Sequence, residues 1–338
     1  MTRLLFCDII PSKEVLVMEK IRFGIVGAGN IANRFARAVK KVDSACLVAV
    51  AARDLQRAEA FAKAHSIEKA FGSYQEMIDS VDVVYVATQN PFHKPCAELF
   101  LNAKKHVLCE KPLCVNAEEA LALKELAQKN GVFLMEAMWS RFLPAIKEIK
   151  RIVDSGEIGE IREIKSQFCF ATNKQSRVYK NDLAGGSLLD VGVYGLHFAD
   201  LILDENPEKI TATAKIYEGV DAKTTVTMEY KNTAVSKVTS AICINKPEKA
   251  CIYGTKGRIY LPRFFKANEF FIVRGLRVKH IKKEYLGNGF EEQIIEVCEC
   301  IKNSKIESET MPVDKSIEIL KQMDEIRAQI GVIYPNER

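Results

Sequence analysis

The sequence predicts an α/β protein in two parts. A doubly wound parallel sheet comes first, then an α+β domain built on a mostly antiparallel, open-faced sheet. Three observations predict this. Residues 21–139 alternate short apolar runs with helical patterns, the grammar of parallel strands covered by helices. From 161 to 273 strand-like segments follow one another through turns, which favours antiparallel pairing. The 338 residues are enough for two separate cores.

Along the first part, apolar runs at 21–26, 47–52, 81–87, 106–109 and 132–135 read as buried strands. Helical patterns at 31–40, 55–65, 74–79, 95–103 and 117–130 lie between them. Near 139–144 the pattern changes. A helix at 144–154 stops at Gly156, an extended run covers 161–170, and an apolar helix follows at 188–203. Strands are expected at 210–217, 224–230, 234–244, 250–253, 258–261 and 269–273, and closing helices at 290–302 and 313–330. The expected division is a dinucleotide-binding domain over 18–140 and a substrate-binding and dimerisation domain over 141–338, with the site in the cleft between them. Residues 1–17 read as an extension without a role in the fold. Their apolar patch, 4–7, is cut by Asp8 and Pro11 and is too short for a signal-peptide core.

Composition excludes several classes. Hydrophobic residues are 48% and charged residues 28%, ordinary globular values. The net charge of +5 is interspersed, so nucleic acid is not an expected partner. No uninterrupted apolar run approaches the roughly 20 residues of a membrane span. The ten cysteines are scattered, several inside apolar runs (Cys46, Cys109, Cys169, Cys243, Cys251), with no C-x-x-C pair. They read as small buried hydrophobes in a reducing, cytoplasmic compartment, with no structural metal.

The chemistry begins where the first strand ends. Gly27-Ala28-Gly29-Asn30-Ile31-Ala32 turns a strand sharply into a helix. Gly27 permits the turn, Gly29 lets a pyrophosphate approach the backbone, and Ala32 is small enough for helix to pack on strand. The free amides of Asn30 and Ile31 and the helix dipole favour the negative charge. At the same sheet edge lie Thr88, Asn90 and His93, and Glu110-Lys111-Pro112, whose X-Pro bond is a candidate for cis. The helix at 188–203 carries only four polar side chains: Asp190, Tyr194, His197 and Asp200. The first three fall in a narrow stripe at helical spacing. Gly192 and Gly195 cost about 1 kcal/mol each in mid-helix, which points to a close approach by backbone or ligand. Ser187 is the expected helix cap.

Taken together, these motifs resemble the glucose–fructose oxidoreductase/inositol dehydrogenase/MocA (Gfo/Idh/MocA) family. They are Gly27 to Ala32, Glu110-Lys111-Pro112, Gly185-Gly186-Ser187-Leu188-Leu189-Asp190-Val191-Gly192-Val193-Tyr194 and Tyr253-Gly254-Thr255-Lys256-Gly257. Within it, Glu136-Ala137-Met138-Trp139-Ser140-Arg141-Phe142 and the tyrosine at 194 look most like the dimeric dihydrodiol dehydrogenases and the NADP-linked D-xylose 1-dehydrogenases. The resemblance implies a Rossmann domain and hydride transfer between a nicotinamide and a carbinol or carbonyl carbon of a pyranose sugar or cyclic diol. It also implies a homodimer through the second domain's sheet. Tyr194 is then the expected acid/base, its pKa lowered by the Lys111 ammonium, with Asp190 orienting Lys111 or holding a substrate hydroxyl. Cofactor contacts are expected from Gly27, Gly29, Asn30, Ile31, Arg53, Thr88, Asn90, His93, Glu110 and Lys111, and substrate contacts from Trp139, Arg177 and His197.

The end of the second strand bears on the cofactor. Ala52 stands where an NAD site places a carboxylate, and Arg53 follows it, so NADP is favoured over NAD. Two other functions remain open at this stage: a dinucleotide-sensing regulatory protein without catalysis, and a reductase of a larger, tetrapyrrole-like substrate. Lys111 and Tyr194 argue for the enzyme, because a sensor needs no acid/base.

Overall fold

A computed structural model describes residues 20–337; the extension expected over 1–17 lies outside the described residues. The N-terminal sheet comprises β1 (Ile21–Val26), β2 (Ala45–Ala51), β3 (Lys69–Phe71), β4 (Val83–Val86), β5 (His106–Glu110) and β6 (Leu134–Ala137). Its helices are α1 (Asn30–Val39), α2 (Leu55–His65), α3 (Tyr74–Met77), α4 (His93–Asn102) and α5 (Ala117–Asn130). Strand order is β3-β2-β1-β4-β5-β6, with every pair parallel. β3, at three residues, is too short to leave a periodic signal and is missing from the sequence reading. The order reverses between β1 and β4, so a crevice opens at their carboxyl ends. Gly27, Thr88 and Lys111 follow β1, β4 and β5 at that edge.

The second sheet is reached through α6 (Pro144–Asp154). It contains β7 (Ile161–Ala171), then, after α7 (Val193–Leu203), β8 (Lys209–Tyr217), β9 (Val220–Glu229), β10 (Val235–Ala241), β11 (Cys243–Gly254), β12 (Arg258–Pro262), β13 (Glu269–Arg274) and β14 (Arg277–Lys282). The order is β14-β13-β12-β11-β7-β10-β9-β8; β7 and β10 run parallel and the other pairs antiparallel. β14 is absent from the sequence reading because Arg277, Lys279, His280 and Lys282 mask it. Charge of this kind suits an edge strand, where it discourages pairing with other chains. The apolar run at 234–244 is two strands rather than one. It turns a corner at Ile242, whose N–H donates to the Ala222 carbonyl at 2.9 Å.

The helix expected at 188–203 begins as a wide π turn, Leu188–Gly192, before α7 proper. It lies directly on the sheet. A Cβ at Gly195 would sit 2.5 Å from Val238 Cγ1 and 2.6 Å from Ser166 Oγ, so only glycine allows this contact with β10 and β7. Ser187 does not cap the helix with its own side chain. The cap is Asp221, fully buried, whose Oδ2 accepts from the Leu188 N–H and the Ser187 hydroxyl, both at 2.8 Å. Asn181–Leu203 has the length and apolarity of a membrane span, and its most apolar window is 83% buried in the fold.

Two helices close the chain, α8 (Glu291–Lys302) and α9 (Val313–Ile330). α9 returns to the first domain, where Asp324 accepts from the Ala117 N–H at 2.9 Å and caps α5, and Asp314 pairs with Lys124 at 2.6 Å. Beyond it, the buried Tyr334 donates its hydroxyl to the Gly185 carbonyl at 2.6 Å, in the glycine turn that leads into the π segment.

Candidate active site

At the end of β1, Gly27 adopts φ +99°, and a Cβ there would lie 2.7 Å from the Ala87 carbonyl oxygen, so no other residue fits. Gly29 faces open space: nothing lies within 4 Å of an added Cβ. It is also the N-cap of α1, and no side chain caps the helix. Uncapped amides from Asn30 and Ile31 at the head of a helix, beside a backbone bare of side chains, fit a dinucleotide pyrophosphate.

His93 and Asn90 hold the edge of this cradle together. The His93 ring is buried, with Nδ1 2.8 Å from the Pro112 carbonyl and Nε2 3.2 Å from that of Thr88. Burial outweighs these carbonyls and pushes its pKa down to about 4. A neutral ring carries one N–H, so His93 donates to one of these two carbonyls and packs its buried ring between the loops after β4 and β5. Asn90 donates its side-chain amide to the Ala184 carbonyl at 3.0 Å, tying the first domain to the glycine turn before the π segment.

Lys111, Asp190 and Tyr194 come together. The Lys111–Pro112 bond is cis. Lys111 Nζ donates to the Asp190 backbone carbonyl at 2.5 Å, lies 3.9 Å from its carboxylate and stands 5.2 Å from the Tyr194 ring centroid. Arg177, half-exposed, donates to the same Asp190 carboxylate at 2.8 Å. Glu110 is buried beneath Lys111 and accepts the Tyr85 hydroxyl and the Lys111 N–H, the latter at 3.2 Å. Burial pushes its carboxyl up despite the neighbouring ammonium.

The expected lowering of the Tyr194 pKa is not found. Burial, with the Glu110 and Asp190 carboxylates, raises it above its ordinary value, against the indole N–H of Trp139 and the charge of Arg34. Lys111 faces the ring of Tyr194, not its hydroxyl, and donates to the Asp190 backbone carbonyl. In the protein without cofactor the phenol is therefore protonated at neutral pH.

Trp139 also departs from its expected role. It is 1% exposed, stacks on Phe290 with centroids 5.0 Å apart, and lies 5.2 Å below the Arg34 guanidinium. With its faces covered, it reaches the site by its edge: Nε1–H donates to the Tyr194 hydroxyl at 3.1 Å. The aromatic wall beside Tyr194 comes instead from Phe168 and Phe265, stacked 4.2 Å apart, each within 6 Å of the Tyr194 ring. The sequence reading missed both, since a phenylalanine on a strand or short turn looks like ordinary core.

His197 is separated from the stripe it shares with Asp190 and Tyr194. It is 1% exposed and points behind the helix into a polar cluster. Arg141 Nη1 donates to its Nδ1 at 3.2 Å and to Asp200 at 3.0 Å, and Glu136 Oε2 lies 3.5 Å from its Nε2. A ring buried in this way has no face for substrate. Burial alone would raise the Glu136 carboxyl, but His197, Ser316 and the Leu113 N–H together hold it below its ordinary value. One signal was available in the sequence: Glu136 is a lone acid in the otherwise apolar run 132–139.

Comparison with known proteins identifies the family. Residues 21–138 match the model described as an oxidoreductase family with an NAD-binding Rossmann fold, and 146–260 match the GFO/IDH/MocA C-terminal domain. The chain is 38% identical to the trans-1,2-dihydrobenzene-1,2-diol dehydrogenase of Mus musculus over 332 residues, 94% of this chain and 99% of that protein. The Homo sapiens protein of the same name is 34% identical, with the same coverage. Among solved structures, an aldose-aldose oxidoreductase from Caulobacter crescentus superposes with TM-score 0.86 at 23% identity, covering 92% of this chain and 97% of that one. A 3-ketoreductase from Actinomadura kijaniata gives 0.84 at 24%, covering 92% and 98%; at such identity the likeness is one of fold. The chain belongs to the Gfo/Idh/MocA family of NAD(P)-binding oxidoreductases.

Proposed function

We propose that the protein is an NADP-linked dehydrogenase that oxidises one carbinol of a cyclic diol, or of a pyranose sugar, and reduces the matching carbonyl. The observation that carries this reading is the meeting of Lys111, Asp190 and Tyr194 beside the glycine cradle. A protein that only sensed the dinucleotide would have no use for a buried phenol there. The nicotinamide, when bound, supplies the hydride acceptor or donor. Tyr194 exchanges the proton of the reacting hydroxyl, Lys111 holds Asp190 and fixes the floor of the site, and Arg177 offers its remaining donors to substrate oxygens. The wall of Phe168 and Phe265 favours a flat ring with few hydroxyls, in line with the diol named for the mouse and human relatives. Absorbance of reduced cofactor, followed with trans-dihydrodiols and with aldoses, tests the reading. Turnover of the diols with NADP is expected, and no turnover of either class would end it.

NADP is favoured by what surrounds the end of β2. Asp54 is committed to capping α2, its Oδ1 accepting from the N–H groups of Gln56 at 3.0 Å and Arg57 at 3.3 Å. Ala52 offers no carboxylate for a ribose hydroxyl, while the exposed Arg53 lies over the Phe92 ring at 5.2 Å and is free to turn to a 2′-phosphate. A hydrogen bond to a charged group is worth about 1.5–3 kcal/mol. Arg53→Ala is therefore expected to weaken NADP by about 10–100-fold and NAD hardly at all. Equal affinity of the parent for the two cofactors in titration would refute the preference.

The second sheet supports a homodimer. Ile252, Ile259 and Ile272 point into the core, each at most 1% exposed. Their neighbours Tyr253, Tyr260 and Phe271 stand on the opposite side, away from α7. A second copy would cover this face in an isologous pair. Light scattering at micromolar concentration should give twice the chain mass, and Tyr260→Lys should lower it; a monomeric parent would contradict the pairing.

A further inference from the structure

The polar cluster behind Tyr194 is expensive to bury, and the proton exchange just described does not use it. Glu136, Arg141, His197 and Asp200 are each at most 6% exposed. They come from three separate places: β6, the turn after it, and α7. Lys315 of α9 extends the cluster, 3.3 Å from Asp200. Arg141 and Lys315 both pair with Asp200, at 3.0 and 3.3 Å, while the group that faces Glu136 Oε2 is the ring of His197. Arg141 can only donate, so the 3.2 Å contact makes His197 Nδ1 the acceptor and puts the ring proton on Nε2, facing Glu136.

The two ends of this chain of contacts attach to the two reacting side chains. Glu136 Oε1 accepts the N–H of Leu113 at 3.1 Å, two residues after Lys111. His197 lies three residues after Tyr194, one turn along the same helix. Glu136 is thus fixed to the loop that aims Lys111, and His197 to the rod that carries the phenol. In some proteins a buried polar network fixes one arrangement at a cost in stability. We propose that Glu136 and His197 are positioning residues: their contact sets the place of the Tyr194 hydroxyl relative to Lys111, and neither touches substrate or cofactor. The proposal rests on the function argued above.

Trp139 allows a test that does not depend on turnover. It is the one tryptophan of the sequence, and its indole N–H is bonded to the Tyr194 hydroxyl. The single indole N–H signal in a ¹⁵N-labelled sample therefore reports where that hydroxyl is, and Tyr194→Phe marks its position when the partner is missing. His197→Leu is expected to move the signal towards that mark and to lower kcat at least tenfold, with NADP affinity within twofold of the parent. His197→Gln, whose amide N–H reaches to where Nε2–H stood, should restore most of both. Glu136→Gln keeps an oxygen for Leu113 but no longer a carboxylate for His197; it should reproduce the shift, and it carries the test if His197→Leu does not fold. An indole signal and a kcat per folded molecule that stay parental in both variants would overturn the proposal, even if the melting temperature falls. Should the parent oxidise no diol or aldose, the functional reading fails, and the indole signal still decides whether the pair positions Tyr194.

Discussion

Tyr194→Phe should lower kcat by about 10²–10⁴-fold, the usual weight of one general acid–base group, while NADP affinity stays parental. The substitution keeps the ring against Phe168 and Phe265 and removes only the hydroxyl. Lys111→Met should cost a similar factor, and the double variant little more, because groups that act as a unit are not additive. The pH dependence has a definite sign. With the phenol raised above its ordinary value by burial, the deprotonated form needed for oxidation grows about tenfold per pH unit through the neutral range. Oxidative kcat/KM should climb over that whole range and reductive kcat/KM should not. The climb should vanish in the phenylalanine variant, and near-parental kcat there would pass the role to Asp190.

The second large effect concerns stability. Arg141→Met is expected to cost about 3–5 kcal/mol in a urea titration, because it leaves Asp200 buried with its closer partner gone. Against a typical domain stability of about 5–15 kcal/mol this is severe. Lys315, 3.3 Å away and a quarter exposed, recovers part of it. Adding Asp200→Leu removes the orphaned charge, and the double variant should regain most of the loss. A single variant as stable as the parent would show that the cluster is better solvated than its burial implies.

Much of the fold was legible because its signals are local. A strand buried on both faces reads as a run such as Val83–Val86, and a capped amphipathic helix as Ala117–Asn130 between Asn116 and Gly131. What escaped lacks a local signal. β3 is too short for a period, β14 is written in basic residues, and the corner at Ile242 sits inside one apolar run. The site divides in the same way. Gly27, Lys111, Asp190 and Tyr194 were readable because each breaks a pattern at a strand end or on a nearly apolar helix. The directions of side chains were not. Helical spacing puts Asp190, Tyr194 and His197 on one stripe, yet the π turn and the packing of α7 send the first two to the cleft and the third to Glu136. Trp139 likewise looked like a face for a substrate, and three-dimensional packing left only its N–H for the site.

The bond from Tyr334 to the Gly185 carbonyl spans 149 residues of chain, and this orders events on the ribosome. At about 5–20 residues per second, roughly 7–30 s pass between synthesis of the glycine turn and arrival of the tyrosine that holds it. All the strands of the first sheet, and the cradle of Gly27 and Gly29, are translated well before then. For that interval the helix bearing Tyr194 lacks this anchor. A dinucleotide that bound the early half in that interval would stabilise it by mass action.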